Sequence, residues 1–190
     1  YVEELFAYRE LLANLVMNEL RLRYRNSVLG FLWTMLNPLA YLAILSVVFS
    51  KIFRFQIPNY TIFLFSGLVS WAMIQQTVSI ATASIVGNQG LIRRVYVPKL
   101  IFPLSNVLAR YVDHVILTVV LLGAMAIFRA PFTWSLLFLP AAILLNFVFS
   151  LGLALITTTA HIRIRDVEHV VSIGFQILFY ATPILYTIDV

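Results

Sequence analysis

The chain of 190 residues is 62% hydrophobic and only 11% charged, with a mean hydropathy of +0.95. Water-soluble domains carry about 25% charge, so this is an integral membrane protein, and nothing in its composition marks off a second, soluble domain. A formal charge of +5 is too small and too dispersed for nucleic acid, and the lack of cysteine excludes disulfides, thiolate metal sites and cysteine nucleophiles together.

Residues 1–30 differ from everything after them. At about 100° per residue, Leu5, Tyr8, Leu12, Leu15 and Val16 share one face, while Glu3, Glu10, Asn14, Arg21 and Arg25 gather opposite. This pattern predicts an amphipathic helix lying along the inner membrane surface, with Arg21, Arg23 and Arg25 near phosphate headgroups. The alternative is an ordinary helix packed on a soluble partner.

Residues 31–190 form the transmembrane domain. A helix needs about 20 mainly apolar residues to cross the hydrocarbon, and five stretches approach that: Phe31 to Ser50, Tyr60 to Val86, Leu104 to Phe128, Leu136 to Thr159 and Val170 to Tyr186. The predicted fold class is thus all-α, an interface helix followed by transmembrane helices. Pro58, Pro103 and Pro131 fall between spans, and Pro38, Pro140 and Pro183 close to span ends, where a missing amide does little harm. Trp33 and Trp134 sit near ends like interfacial anchors, whereas Trp71 lies deeper. The chain begins at Tyr1 without a signal-peptide pattern and stops at "YATPILYTIDV" without a polar tail, so we expect a piece of a longer protein.

Cations set the direction. One set of loops holds Arg9, Arg21, Arg23, Arg25, Arg93, Arg94, Lys99, Arg163 and Arg165, the other only Lys51, Arg54 and Arg129. By the positive-inside rule the N-terminus is cytoplasmic, and so is the segment "LIRRVYVPKL" between the second and third spans. Its cations suit either anionic lipid or a protein partner.

Polar groups inside the spans are few. Arg110 and Asp113 are three apart on one helical face beside His114, which suits a buried pair that fixes packing or, alternatively, a proton relay. The half-span "QQTVSIATAS" and the run Thr157 to Thr159 must find partners on adjacent helices or line a hydrated path. Tyr41, Phe49, Tyr180 and Tyr186 are candidates for lining a passage for sugars, against the default of packing and lipid contact. In "RIRDVEHVV", Asp166 is placed to cap the fifth helix with Glu168 in its first turn, and Arg163 and Arg165 stay in the loop. His161 and His169 flank "IRIRDVE" at no spacing that matches a metal site, so a solvated loop explains them. The sequence contains no G-x-x-x-x-G-K-[ST], G-x-S-x-G or H-E-x-x-H motif. Any energy from ATP must therefore enter through another polypeptide.

Taken in order, the amphipathic helix, "NSVLGFLWTMLNPLAYLAILSVVFSKIF", "LIRRVYVPKLIFPLSNVLARYVDHVI" and "RIRDVEHVVSIGFQILFYATPILY" resemble the membrane subunits of type-2 ABC exporters, in the branch exporting O-antigen, teichoic acid and capsular polysaccharide. The resemblance implies a six-span permease, of which this chain would lack the sixth, in the bacterial cytoplasmic membrane. It implies a homodimer with the channel mainly between spans one and five, and a separate ATPase that binds ATP and Mg, with no cofactor on this chain. It also implies a coupling helix after span two, carried or flanked by Gly90, Leu91, Ile92, Arg93, Arg94, Val95, Tyr96, Val97, Pro98 and Lys99. Tyr96 and the aliphatics would seat in the ATPase, the cations would meet acidic groups, and Pro98 would end the helix. The rivals are a small-molecule or drug exporter of the same superfamily, a membrane transferase of lipid-linked sugars using His114 and Asp113, and a passive anchoring protein.

Overall fold

The structure, a computed structural model, describes residues 7–24, 30, 32–48 and 60–184. These residues contain helices and turns and no strand. In chain order they are α1 (Arg9–Tyr24), α2 (Leu32–Val47), α3 (Tyr60–Gly87), the single turn α4 (Gln89–Ile92), α5 (Ile101–Ile127), a 3-10 turn at Trp134–Phe138, α6 (Leu139–Arg163) and α7 (Val167–Ala181).

Three of these runs are long and apolar enough to cross a membrane: α3 with 28 residues, α5 with 27, and Trp134–Arg163 with 30. The first and fifth stretches form shorter helices, α2 of 16 residues and α7 of 15. At a rise of 1.5 Å per residue α7 reaches about 22 Å, short of the ~30 Å hydrocarbon core. The stretch expected to run as one helix from Val170 is broken after Ala181, and its expected end at Tyr186 lies outside the described residues. Thr182 turns extended at ψ 136 because it precedes Pro183, and a residue before proline is pushed out of the helical region.

Two prolines also sit differently from expectation. Pro103 lies inside the first turn of α5, which begins at Ile101, where no amide is needed for the ladder. Pro38 lies in the interior of α2 and removes one rung of it. Beyond α5 the chain closes in a two-bond cap, Ala130 N–H to the Met125 carbonyl at 2.9 Å and Arg129 N–H to Ala126 at 3.3 Å. Arg129 takes the left-handed position at φ 53 that glycine usually fills.

The hub is α3, which packs against α2, α5, α6 and α7. At its Tyr60 end Leu64, Phe65 and Val69 meet Leu117 and Leu121 of α5. Further along, Ala81, Val107 and Ala154 let α3, α5 and α6 approach closely, the small-residue packing expected where lipid supplies no hydrophobic drive between helices. Hydrogen bonds fasten the same seam: Thr158 Oγ1 donates to the Ala81 carbonyl at 2.8 Å, and the Thr82 and Thr157 hydroxyls lie 2.8 Å apart. At the other end of the bundle Tyr8, Leu11, Leu12 and Leu15 pack on Ile85, Val97, Ile101 and Phe102. Much of the apolar face expected to meet lipid thus rests on the chain itself, because the end of α3, Val97 and the first turn of α5 offer it an apolar platform. Glu10, Asn14 and Arg21 are exposed on α1, while Leu5 and Arg25 lie outside the described residues.

Candidate functional site

Two features stand out, a groove along the bundle and an exposed turn at the α1 end. The groove, about 490 Å³, runs between α2, α3 and α7. Its polar lining comes from Asn37, Gln75, Gln76, Ser172 and Gln176, and its aromatic lining from Trp71, Phe179 and Tyr180. Flat rings beside amides suit a hydroxylated ligand, since rings cover its apolar faces while amides both donate and accept. Trp71 is held by ring contacts to Phe175 at 5.8 Å and Phe179 at 5.9 Å.

Of the proposed passage aromatics, Tyr180 lines this groove and is exposed. Tyr41 lies in α2, but its side chain is outside the described set, as are Phe49 and Tyr186 altogether. Sequence reasoning missed Trp71, Asn37 and Gln176. The available signal was polarity: Asn37 and Gln176 are amides within otherwise apolar runs, and Trp71 is too deep for an interfacial anchor.

The polar half of α3 divides in two. Thr82 bonds across to α6, whereas Gln75 and Gln76 face the groove. Arg110 Nη1 lies 3.7 Å from Asp113 Oδ2 and donates to Gln76 Oε1 at 3.3 Å. Rather than disappearing into helix packing, this pair lines a second cavity of about 270 Å³ together with His114, Trp33 and Asn37.

At the α1 end, α4 ends at Ile92, and Arg93, Arg94 and Val95 continue as turns. Leu91, Arg93, Arg94, Tyr96 and Lys99 are exposed, Tyr96 to 84%. Ile92 and Val97 point inward onto the α1 platform, which corrects the expectation that all the aliphatics seat in a partner. Pro98 does not end α4 either. It lies beyond the turn, and its carbonyl accepts the Ile101 N–H at 3.0 Å to lead into α5. Gly90 and Val95 are also exposed.

Between α6 and α7, Asp166 occupies the N-cap position of α7 but makes no side-chain cap bond. Its backbone is already helical at φ -68, so the carboxylate is not aimed at the first amides. Glu168 lies instead 4.0 Å from His161. His161 is not a solvated loop residue: it is buried in the last turn of α6, while His169, Arg163 and Arg165 are exposed.

A groove lined by amides and rings beside the membrane-crossing helix α3 is suited to holding a polar solute, as the sites of membrane transport proteins are. Residues 10–190 match the family described as ABC-2 type transporter, and the chain belongs to it. It is 36% identical to the O-antigen export system permease protein RfbA of Myxococcus xanthus, over 99% of this chain and 72% of the relative. The corresponding permease of Klebsiella pneumoniae is 32% identical over 95% of this chain and 70% of its own length. The polysialic acid transport protein KpsM of Escherichia coli is 26% identical over 90% of this chain and 68% of its own.

Proposed function

We propose that this chain is the permease subunit of an ATP-driven exporter of polysaccharide, of the O-antigen, teichoic acid or capsule kind, in the bacterial cytoplasmic membrane with its N-terminus inside. The observation that carries the reading is the groove between α2 and α7, with amides and rings in the pattern that suits a sugar chain. The similarity to permeases named for O-antigen export supports it. A stripe of exposed apolar residues on α7, Val170, Ile173, Ile177 and Tyr180, suits a seam with a second copy of the chain, and the groove opens beside that stripe. The exposed turn from Leu91 to Lys99 is the surface for a separate ATPase, which holds ATP and Mg. Its closure on nucleotide would push this turn and shift α3 and α5 as rigid bodies. The permease itself performs no covalent step.

The test is deletion of the gene in its host, followed by complementation and measurement of surface polysaccharide, with the membrane protein then purified to ask whether an ATPase accompanies it. Loss of surface polysaccharide, its accumulation inside the cell and co-purification of an ATPase are expected. Unchanged surface polysaccharide, with a drug accumulating in the cell instead, would sink the polysaccharide reading. Sugar transfer by the purified chain alone, lost on His114→Ala, would turn the assignment to a transferase.

A further inference from the structure

The cavity beside the groove holds an uncommon set of groups for the middle of a membrane. His114 is residue 14 of the 27 in α5 by count from Ile101, about 20 Å along the helix at 1.5 Å per residue. Its side chain is 5% exposed, and its Nδ1 is buried with no hydrogen-bond partner among the described residues. Nδ1 has almost no accessible surface and faces packed protein, so only the remainder of the ring can meet a ligand in the cavity. The cavity it lines has a volume of about 270 Å³, the room of about nine waters at ~30 Å³ each, enough for one sugar ring with its hydroxyls.

The chemistry of the walls selects among ligands. Arg110 is answered by Asp113 at 3.7 Å, so that pair brings no net charge and an anion gains little there. Gln76 and Asn37 each donate and accept, His114 offers a ring nitrogen, and Trp33 at the mouth offers a flat apolar face. That assortment matches a neutral polyol better than a phosphate or an apolar chain. Asn37 and Gln76 also line the groove, so the cavity is a side branch of it rather than a separate void.

We propose that this branch is a recognition site for one neutral sugar residue of the exported chain, with His114 and Gln76 reading its hydroxyls and Trp33 covering its apolar face. The proposal rests on the polysaccharide reading above and adds to it a specificity site inside one subunit, off the seam.

The full-length protein, assembled with its ATPase in lipid nanodiscs, is titrated in turn with methyl α-D-mannopyranoside, methyl β-D-galactopyranoside and methyl β-D-glucopyranoside, and tryptophan fluorescence is followed. Export by the same variants is scored in the deletion strain. At least one glycoside should give a saturable change that disappears in Trp33→Phe and persists in Trp71→Phe. His114→Phe, which keeps a ring of similar size but removes its nitrogens, should weaken that binding and slow export at least tenfold while the ATPase stays bound. If that variant fails to assemble, Gln76→Leu decides, since Gln76 is exposed and Arg110, which loses one acceptor, still has Asp113 beside it. A wild type that exports polysaccharide yet binds none of the three glycosides overturns the proposal. So does an assembled His114→Phe, or Gln76→Leu, protein that exports at the wild-type rate. A wild type that binds a glycoside but exports no polysaccharide overturns the export reading and leaves the sugar site standing.

Discussion

Replacing Tyr96 by alanine separates the proposed docking surface from the fold. The ring is 84% exposed in the isolated chain, so its loss should leave the melting behaviour of the permease unchanged. If a partner pocket encloses it, the area removed from water is most of the 150–250 Å² that an aromatic side chain buries. At ~25 cal/mol per Å² that is worth about 3–5 kcal/mol as an upper bound. Immobilising the side chain takes back about 0.5–1.5 kcal/mol, leaving about 2–4 kcal/mol, a weakening of roughly thirty- to several-hundred-fold. The assay is binding of the ATPase to nanodisc-embedded permease by interferometry, with ATP hydrolysis measured on the same samples. Arg93→Glu should act differently, slowing association and changing its salt dependence more than dissociation, since Arg93 is an exposed charge. A dissociation constant for Tyr96→Ala within twofold of wild type would refute the docking role of this turn.

Two further expectations concern what holds the bundle. Thr158→Val keeps the shape at the α3–α6 seam but removes the hydroxyl bonded to Ala81, and should lower stability by about 0.5–1.5 kcal/mol in a membrane unfolding titration, the range of interhelical hydrogen bonds in lipid. A loss above about 3 kcal/mol would mean that packing, not the bond, had been disturbed. Arg129→Gly relieves a left-handed residue at φ 53 and should raise stability by about 1 kcal/mol. Destabilisation would show that the arginine side chain, rather than its backbone, is what matters at that cap.

How far the site was legible depends on the residue. Gln76 and Thr82 are both polar members of the same half-span, and periodicity places each on a helix without saying what stands opposite. Only the approach of α6 makes Thr82 a fastener, and only the gap between α2, α3 and α7 leaves Gln76 facing open space. The same holds for the turn after α3: Ile92 and Tyr96 are both apolar enough to be interface residues, and α1 covers one while leaving the other bare. His161 reads as a loop residue because the chain is charged from Arg163 onward, while its burial comes from the last turn of α6.

By itself the sequence determined the membrane class, the all-helical fold and the likeness to a family of exporters. Those follow from composition and from local rules, the length of chain needed to cross hydrocarbon and the charges that stay out of it. The tertiary structure decided which faces of those helices pack on one another, which stay exposed and which line an open groove. Lipid tails and protein interiors are equally apolar, so no pattern of hydrophobicity distinguishes them. The difference between a fastener and a groove lining arises only when residues far apart in the chain, such as Asn37, Gln76 and Gln176, come to line one space.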